Sequence, residues 1–336
     1  MSQRCLAPVV VALAVASTLP LAAQSRRITA NAKSSALART SNGHPDMQGI
    51  WTNATITPME RPAQFAGKLT ATDEEASKYE KQNNDNLYGD KRSQNAEQDR
   101  DHAYNALFFD RGTELARVDG VKRTSLIIDP PDGKIPPLTP EAKKRTAGRL
   151  QAFQRFDRPQ DRPLGERCLM GFGSTSGPPM LPVLYNNNYQ IVQTPGTIMI
   201  LVEMVHDIRY IHMDGRPHLP PDIRQWMGDS IGHWEGDTLV VDTTNFTDKT
   251  RFRGSSENLH VVERLTRVDP GTILYKVTID DPTTFSKPWT LEYPFLATKG
   301  PIYEYACHEG NYAMPDILGG ARLEEKSAAE GARGKK

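Results

Sequence analysis

Three of the chain's eight histidines fall within twenty residues, in VEMVHDIRYIHMDGRPHLPP (Val202 to Pro221), beside two aspartates, a glutamate and two arginines. Side chains of these types hold metal ions, move protons, or simply occupy the two faces of a strand. His206 and His212 are six residues apart, which in extended chain is ~20 Å, so they cannot share one ion. Neither H-x-H nor H-E-x-x-H spacing occurs in the stretch, so no metal is expected from it. Histidine beside a carboxylate is, however, the usual equipment for proton transfer near neutral pH.

The elements that would position such residues can be read from turn signals. From Tyr185 onward the sequence alternates apolar and polar residues between TPGT (194–197), MDGR (213–216), WEGD (234–237), DPGT (269–272) and TKGP (298–301). Such alternation marks an antiparallel sheet, and the need to close or cover sheet edges favours a lipocalin-like barrel, or a sandwich, over an open sheet. Because side chains alternate across a strand, a tight turn fixes which residues of its two strands share a face. A Pro195-Gly196 turn places Ile191, Ile198, Ile200 and Val202 on one face, which continues through His206, Ile208, Tyr210 and His212, with Asp207 and Arg209 outward. A Pro270-Gly271 turn pairs Val268 with Ile273, Thr266 with Tyr275 and Arg264 with Val277, which sends His260 and Arg264 inward. A Lys299-Gly300 turn puts Glu304 and His308 on the face of Leu291, Tyr293 and Phe295.

Parity thus assigns His206, His260, Arg264, Glu304 and His308 to the apolar side. Buried polar groups need partners, so these either satisfy one another or line a wet, ligand-sized cavity. In the catalytic reading His308 is the base, Glu304 its orienter, His260 or His206 the complementary acid, and Arg264 the group that holds an anionic oxygen. The bland reading of Arg264 and Glu304 is a buried ion pair. A metal would require His206, His260 and His308 to converge from different strands. Trp226 and Trp234, in WMGDSIGHWEGDTLVVDTTNF, are candidates to stack on a ligand or to plug a barrel end. Tyr210 and Tyr275 join them as candidate substrate-binding residues.

The N-terminal half carries less chemistry. GSTSG has Thr175, not serine, at its centre and lacks a following helix, which excludes a nucleophile elbow. TDEEASKYEKQ begins a helix with Thr72 and Glu75 at capping-box spacing, and Thr139-Pro140 opens another before Pro159. SLIID reads as a short strand, and the polar run from Asn83 to Asp101 as a surface excursion.

Composition narrows the function further. Residues 1–24, with Arg4, the apolar run Leu6 to Ala16 and LPLAAQS, read as a cleavable signal peptide, implying a periplasmic or secreted protein. Residues 25–44 read as a flexible linker, 45–321 as a single β-rich domain with helices and loops inserted at about 52–184, and 322–336 as a disordered tail. No later run is long and apolar enough to span a bilayer. Cys168 and Cys307 remain after export, and a disulfide is the economical reading. Lys and Arg balance Asp and Glu at 41 each, which excludes a polyanion-binding surface by net charge and so nucleic acid as a partner. No dinucleotide fingerprint or phosphate loop appears, so no cofactor is expected.

YNNNYQIVQTP, DGRPHLPPDIRQWMGDSIGHWEGDTLVVDTTNF and IYEYACHEGNYAM together resemble an uncharacterised family of exported bacterial proteins over roughly residues 45–322. That resemblance implies export and no particular activity. Separately, Gly49-Ile50-Trp51 before a barrel-like strand set looks like the G-x-W opening of lipocalin-type barrels, from which the long interval Thr52 to Leu184 departs. These readings lead to an exported enzyme, a lyase or hydrolase, acting on a small organic or carbohydrate compound by His/Glu acid–base chemistry in a β-barrel cavity. The alternative is a non-catalytic binding protein using the same cavity.

Overall fold

A computed structural model of the chain describes residues 37–88, 95, 109–152, 155–172, 177–250 and 252–333. The leader, the linker as far as residue 36, Thr175 and nearly all of the polar excursion beyond residue 88 lie outside the described residues. Leu37–Lys336 forms one compact unit. Residues 37–44 already belong to it: Arg39 bridges to Pro45 and pairs with Asp237 at 2.7 Å, so the expected linker ends earlier than residue 44.

Nine strands close into a barrel. They are β1 (Gly49–Thr52), β6 (Asn188–Gln193), β7 (Thr197–Val202), β8 (Asp207–His212), β9 (Asp229–Glu235), β10 (Thr238–Thr244), β11 (His260–Asp269), β12 (Thr272–Asp280) and β13 (Trp289–Thr298). From β6 to β13 each strand pairs with the next in sequence, and β1 closes the ring by pairing with both β6 and β13. Every pairing is antiparallel except β8 with β9, which run parallel and meet at only two register positions, Ile211 with Ser230 and His212 with Ile231. A short strand β5 (Ile127–Asp129) adds to β13, and a small separate sheet holds β2 (Thr70–Ala71), β4 (Val121–Arg123) and β3 (Arg117–Val118).

Local signals account for the helices. In α1 (Asp73–Tyr88) the Glu75 amide donates to Thr72 Oγ1 at 3.2 Å and the Thr72 amide to Glu75 at 3.0 Å, the reciprocal capping expected of that spacing. In α2 (Pro140–Ala152) the Ala142 amide donates to Thr139 Oγ1 at 3.1 Å. The C-terminal helix α3 (Ala313–Arg333) buries no residue and corrects the expectation of a disordered tail from Arg322. Its run of Ala, Leu, Glu, Lys and Arg carries helix propensity that a charge count alone does not register. Among the described residues no helix is long and apolar enough to cross a membrane.

The barrel interior is packed. Ile191, Ile198, Ile200, Val202, Ile211, Leu239, Val241, Val261, Leu265 and the β12–β13 aromatics are buried together. Tyr189, Tyr275, Tyr293 and Phe295 interlock with ring centroids 5.1–6.1 Å apart. Met180, fully buried, plugs the space left among them: its amide donates to the Tyr275 hydroxyl at 3.1 Å, and its carbonyl accepts from Tyr293 at 2.6 Å and Asn53 at 2.8 Å. Cys168 and Cys307 form the expected disulfide, with Cα atoms 5.7 Å apart.

Candidate functional site

Three of the expected strand faces change, each for a local reason. The stretch from Thr197 to Met213 is not one strand. Val205 and His206 adopt left-handed backbone (φ 64° and 56°), so the chain reverses and β7 and β8 pair as a hairpin, Ile198 with Ile211 and Ile200 with Arg209. Arg209 and Ile211 therefore point inward, while Ile208, Tyr210 and His212 look outward and His206 sits exposed in the turn. In the next case the expected β12 face holds, since Ile273, Tyr275, Val277 and Ile279 are all buried. Its partner slips by one residue because a bulge lies between Arg267 and Asp269, so that Glu263, not Arg264, faces Val277. His260 and Arg264 thus lie on the outer wall.

The third change removes a strand. Residues 301–310 join no strand, and Glu304 and His308 are exposed. Both edges of β13 are already occupied, one by β12 and the other by β1 and β5, so a chain returning past Gly300 has no edge to join. The five expected catalytic residues therefore do not converge. His206 lies in a turn, Glu304 and His308 in an unpaired segment, and Arg264 is held by Glu235 at 2.5 Å on the surface. Of the expected ligand platforms, Tyr275 is core, and Trp234 packs against the core at the barrel rim with His44 stacked on it at 4.7 Å. The His44 and Trp234 rings also line a cleft of about 670 Å³ together with Arg39, Met213 and His233.

What the barrel does bury is an ion pair of Glu263 with Arg209, a residue that parity assigns to the outside. Arg209 donates two bonds to Glu263, at 3.1 and 2.6 Å, and Tyr275 donates to the same carboxylate at 2.7 Å. Burial opposes the charge on Arg209, yet the Glu263 carboxylate more than offsets this and raises its affinity for the proton. Burial likewise pushes the hydroxyls of Tyr189, Tyr275 and Tyr293 far up. A bidentate pair fenced by neutral tyrosines in dry packing is structural.

The residues that come together instead lie on the outer wall of β9, β10 and β11. His218 Nδ1 is 2.9 Å from Asp229 Oδ2, and its Nε2 is 3.0 Å from Asp242 Oδ1. The second Asp242 oxygen is 3.0 Å from His260 Nε2. The result is a continuous chain Asp229–His218–Asp242–His260, from a buried carboxylate to an imidazole whose side chain is 39 % exposed. Hydrogen bonding to Asp242, against a smaller cost of burial, raises the proton affinity of His260, with Asp280 adding to it. For Asp242 burial disfavours the charge, but His260 and then His218 outweigh it and hold the carboxyl below its usual range.

The loop that carries His218 is fixed to the wall. Asn245 shares its side-chain amide among the carbonyls of Leu219, Pro220 and Ile223, each at 3.0 Å, and the Leu219 amide donates to Asp229 Oδ2 at 3.0 Å. Asn245 is buried, so the N-F-T sequon it begins is closed in the folded chain. Gly228 enters β9 at φ 71°, where a Cβ would stand 2.4 Å from the Thr244 carbonyl.

Beside this loop, where β8 and β9 splay from their two-residue contact, opens a cleft of about 600 Å³ lined in part by Tyr210, His212, Arg224, Trp226 and Asp229. Two expected ligand-contacting residues, Tyr210 and Trp226, therefore share one cavity, and the hydrogen-bonded chain ends in it. Asp229 Oδ2 takes the bonds from His218 and Leu219, while Oδ1 takes none among the described residues. Among the described residues no group of three or more His, Cys, Asp or Glu is placed to hold a metal ion. The sequence did contain a signal for Asp229 and Asp242. The tight turn at Gly236-Asp237 sets Ile231 opposite Asp242 and Asp229 opposite Thr244, so both aspartates share the outer face. No family model matches the chain, and no curated protein or solved structure shows similarity to it.

Proposed function

We propose that the chain is an exported enzyme that acts on a small organic or carbohydrate compound by acid–base chemistry, as a lyase or hydrolase, in the outer cleft between β8 and β9. One observation carries this reading: Asp229 belongs both to the cleft wall and to the chain running through His218 and Asp242 to His260. Asp229 Oδ1 exchanges a proton with the bound compound, and the chain behind it provides a path to solvent at the exposed His260. Tyr210 and Trp226 flank the compound, a role suited to flat apolar faces with one polar edge. The Cys168–Cys307 disulfide is compatible with an oxidising compartment, which supports export.

A second reading, non-catalytic ligand binding, has its own support. His218 and Asn245 together tie down the loop over residues 218–223, so the cluster has a complete structural task without chemistry. An untargeted metabolite-depletion screen with the wild type and Asp229→Asn separates the two. The enzymatic reading expects a compound consumed by the wild type and spared by the variant, which still binds it. Equal consumption by both proteins defeats the role of Asp229, and binding without consumption by either leaves the binding reading standing.

A further inference from the structure

A second cavity, of about 560 Å³, lies between the segment running from Arg158 to Phe172 and the loops carrying Trp226 and Lys249. Its charge is one-sided: Arg158, Arg162, Arg167 and Lys249 line it against the single carboxylate of Asp161. Two of these cations are already engaged. Arg162 is bound to both oxygens of Glu166, at 2.9 and 3.1 Å, with its guanidinium 4.5 Å over the Phe156 ring. Arg158 reaches Asp161 only at 3.4 Å, with 70 % of its side chain exposed. Arg167 and Lys249 have no carboxylate partner and make no side-chain hydrogen bond among the described residues, although both face the same space.

Like charges gathered around a concavity repel until an anion enters, and guanidinium and ammonium groups make their strongest hydrogen bonds to carboxylate, sulfonate or phosphate oxygens. The rest of the lining selects the shape of that anion. Phe172 leaves 54 % of its surface exposed at this cavity, and Trp226 contributes a second aromatic side chain. Flat rings of this kind favour stacked or edge contact with another ring. The disulfide at Cys168 holds the chain between Arg167 and Phe172 to the segment at Cys307, so this wall is braced.

We propose that this cavity binds a small aromatic anion, a planar ring bearing one acidic group, with Arg167 and Lys249 on the acidic group and Phe172 and Trp226 on the ring. The site is separate from the cleft at Asp229 and does not depend on the acid–base reading, though Trp226 lines both.

The test is isothermal titration of the mature wild-type protein with 1-naphthoate, the neutral 1-naphthalenemethanol, and acetate. The expected result is binding of 1-naphthoate that weakens with added salt, with the alcohol and acetate each at least about tenfold weaker, since each lacks one half of the recognition. The double variant Arg167→Gln/Lys249→Gln removes no hydrogen bond from the fold, and it is expected to keep the wild-type melting temperature while binding 1-naphthoate at least about tenfold less tightly. Phe172→Ala gives the complementary loss on the ring side should the double variant melt early. Asp229→Asn keeps its affinity for 1-naphthoate, so failure at the two sites is told apart. The proposal is overturned if 1-naphthoate does not bind at millimolar concentration, if the alcohol binds as tightly as the acid, or if folded Arg167→Gln/Lys249→Gln binds as the wild type does.

Discussion

Inside the barrel, Glu263 meets Arg209 at 2.6 Å with side chains 0 % and 2 % exposed; on the outer wall, Asp242 meets two histidines at 3.0 Å with a third of its own side chain open. The residue types are comparable, and the consequences differ because of solvent. The interior carboxylate is sealed among tyrosines and a guanidinium, so a change in its charge would leave an uncompensated ion in dry packing. The wall carboxylate sits at a water boundary, where a proton can arrive or leave at little cost. Apolar packing decides where the barrel is stable, and chemistry requires the wetter region.

The largest test of that contrast is Glu263→Gln. Leaving Arg209 unpaired in the core is expected to cost about 3–5 kcal/mol, read as a lower urea midpoint with an unchanged m-value. The double variant Arg209→Met/Glu263→Leu removes both charges and is expected to recover most of the loss, because a buried pair replaced by apolar groups of similar volume is often neutral. If Glu263→Gln melts like the wild type, the interior is wetter than its packing implies and the contrast fails.

A smaller effect is expected at the wall. Asn245→Ala removes the amide shared by three carbonyls and places alanine at φ 57°, so about 1–3 kcal/mol should be lost. Because the same residue pins the loop beside the cleft, hydrogen exchange should speed up over residues 218–228 while the strands of the barrel stay protected. Uniform loosening of the barrel would show instead that the wall loop is part of its core. Smaller still, His308→Gln is expected to leave both stability and any turnover unchanged, within about 0.5 kcal/mol for an exposed position, as a thermal melt would show.

These outcomes bear on what the sequence could reveal. The antiparallel barrel, the capped helices, the disulfide and the inward faces of β7, β12 and β13 follow from local alternation and turn chemistry, and each is found. Two of the errors come from local backbone events. A bulge after Arg267 turned β11 over, and left-handed backbone at Val205 and His206 cut one strand into two. Period-two reasoning has no tolerance for such events, since a single slip moves every side chain to the other face. The missing strand at Glu304 and His308 has a different origin: only the closure by β1, more than 200 residues earlier in sequence than this segment, reveals that no edge remains. The wall cluster was partly legible, because the Gly236-Asp237 turn sets the parity of Asp229 and Asp242. The arrival of His218 from a loop depends on Asn245, and turn parity does not report it.

The pH dependence of stability gives a small effect, and it separates the two regions without breaking either. His260 holds its proton more tightly in the fold than its ordinary value of 6.5, so its contribution is complete below that pH and is lost as pH rises through the raised value. Asp242 is shifted below 3.8, so its contribution is present above that pH and is lost as pH falls through the lowered value. Together they produce a plateau between about pH 4 and 6.5, with a decline on the alkaline side. His260 and Asp242 are both more than a third exposed, so the decline should stay under about 1 kcal/mol. Asp242→Asn is expected to flatten it when stability is measured by urea unfolding from pH 5 to 8. Glu263→Gln should lower the whole curve by a nearly constant amount, since Arg209 keeps its charge throughout that range. If Asp242→Asn retains the alkaline decline, the His260–Asp242 bond is not its source, and the wall chain loses its most exposed proton-exchanging link.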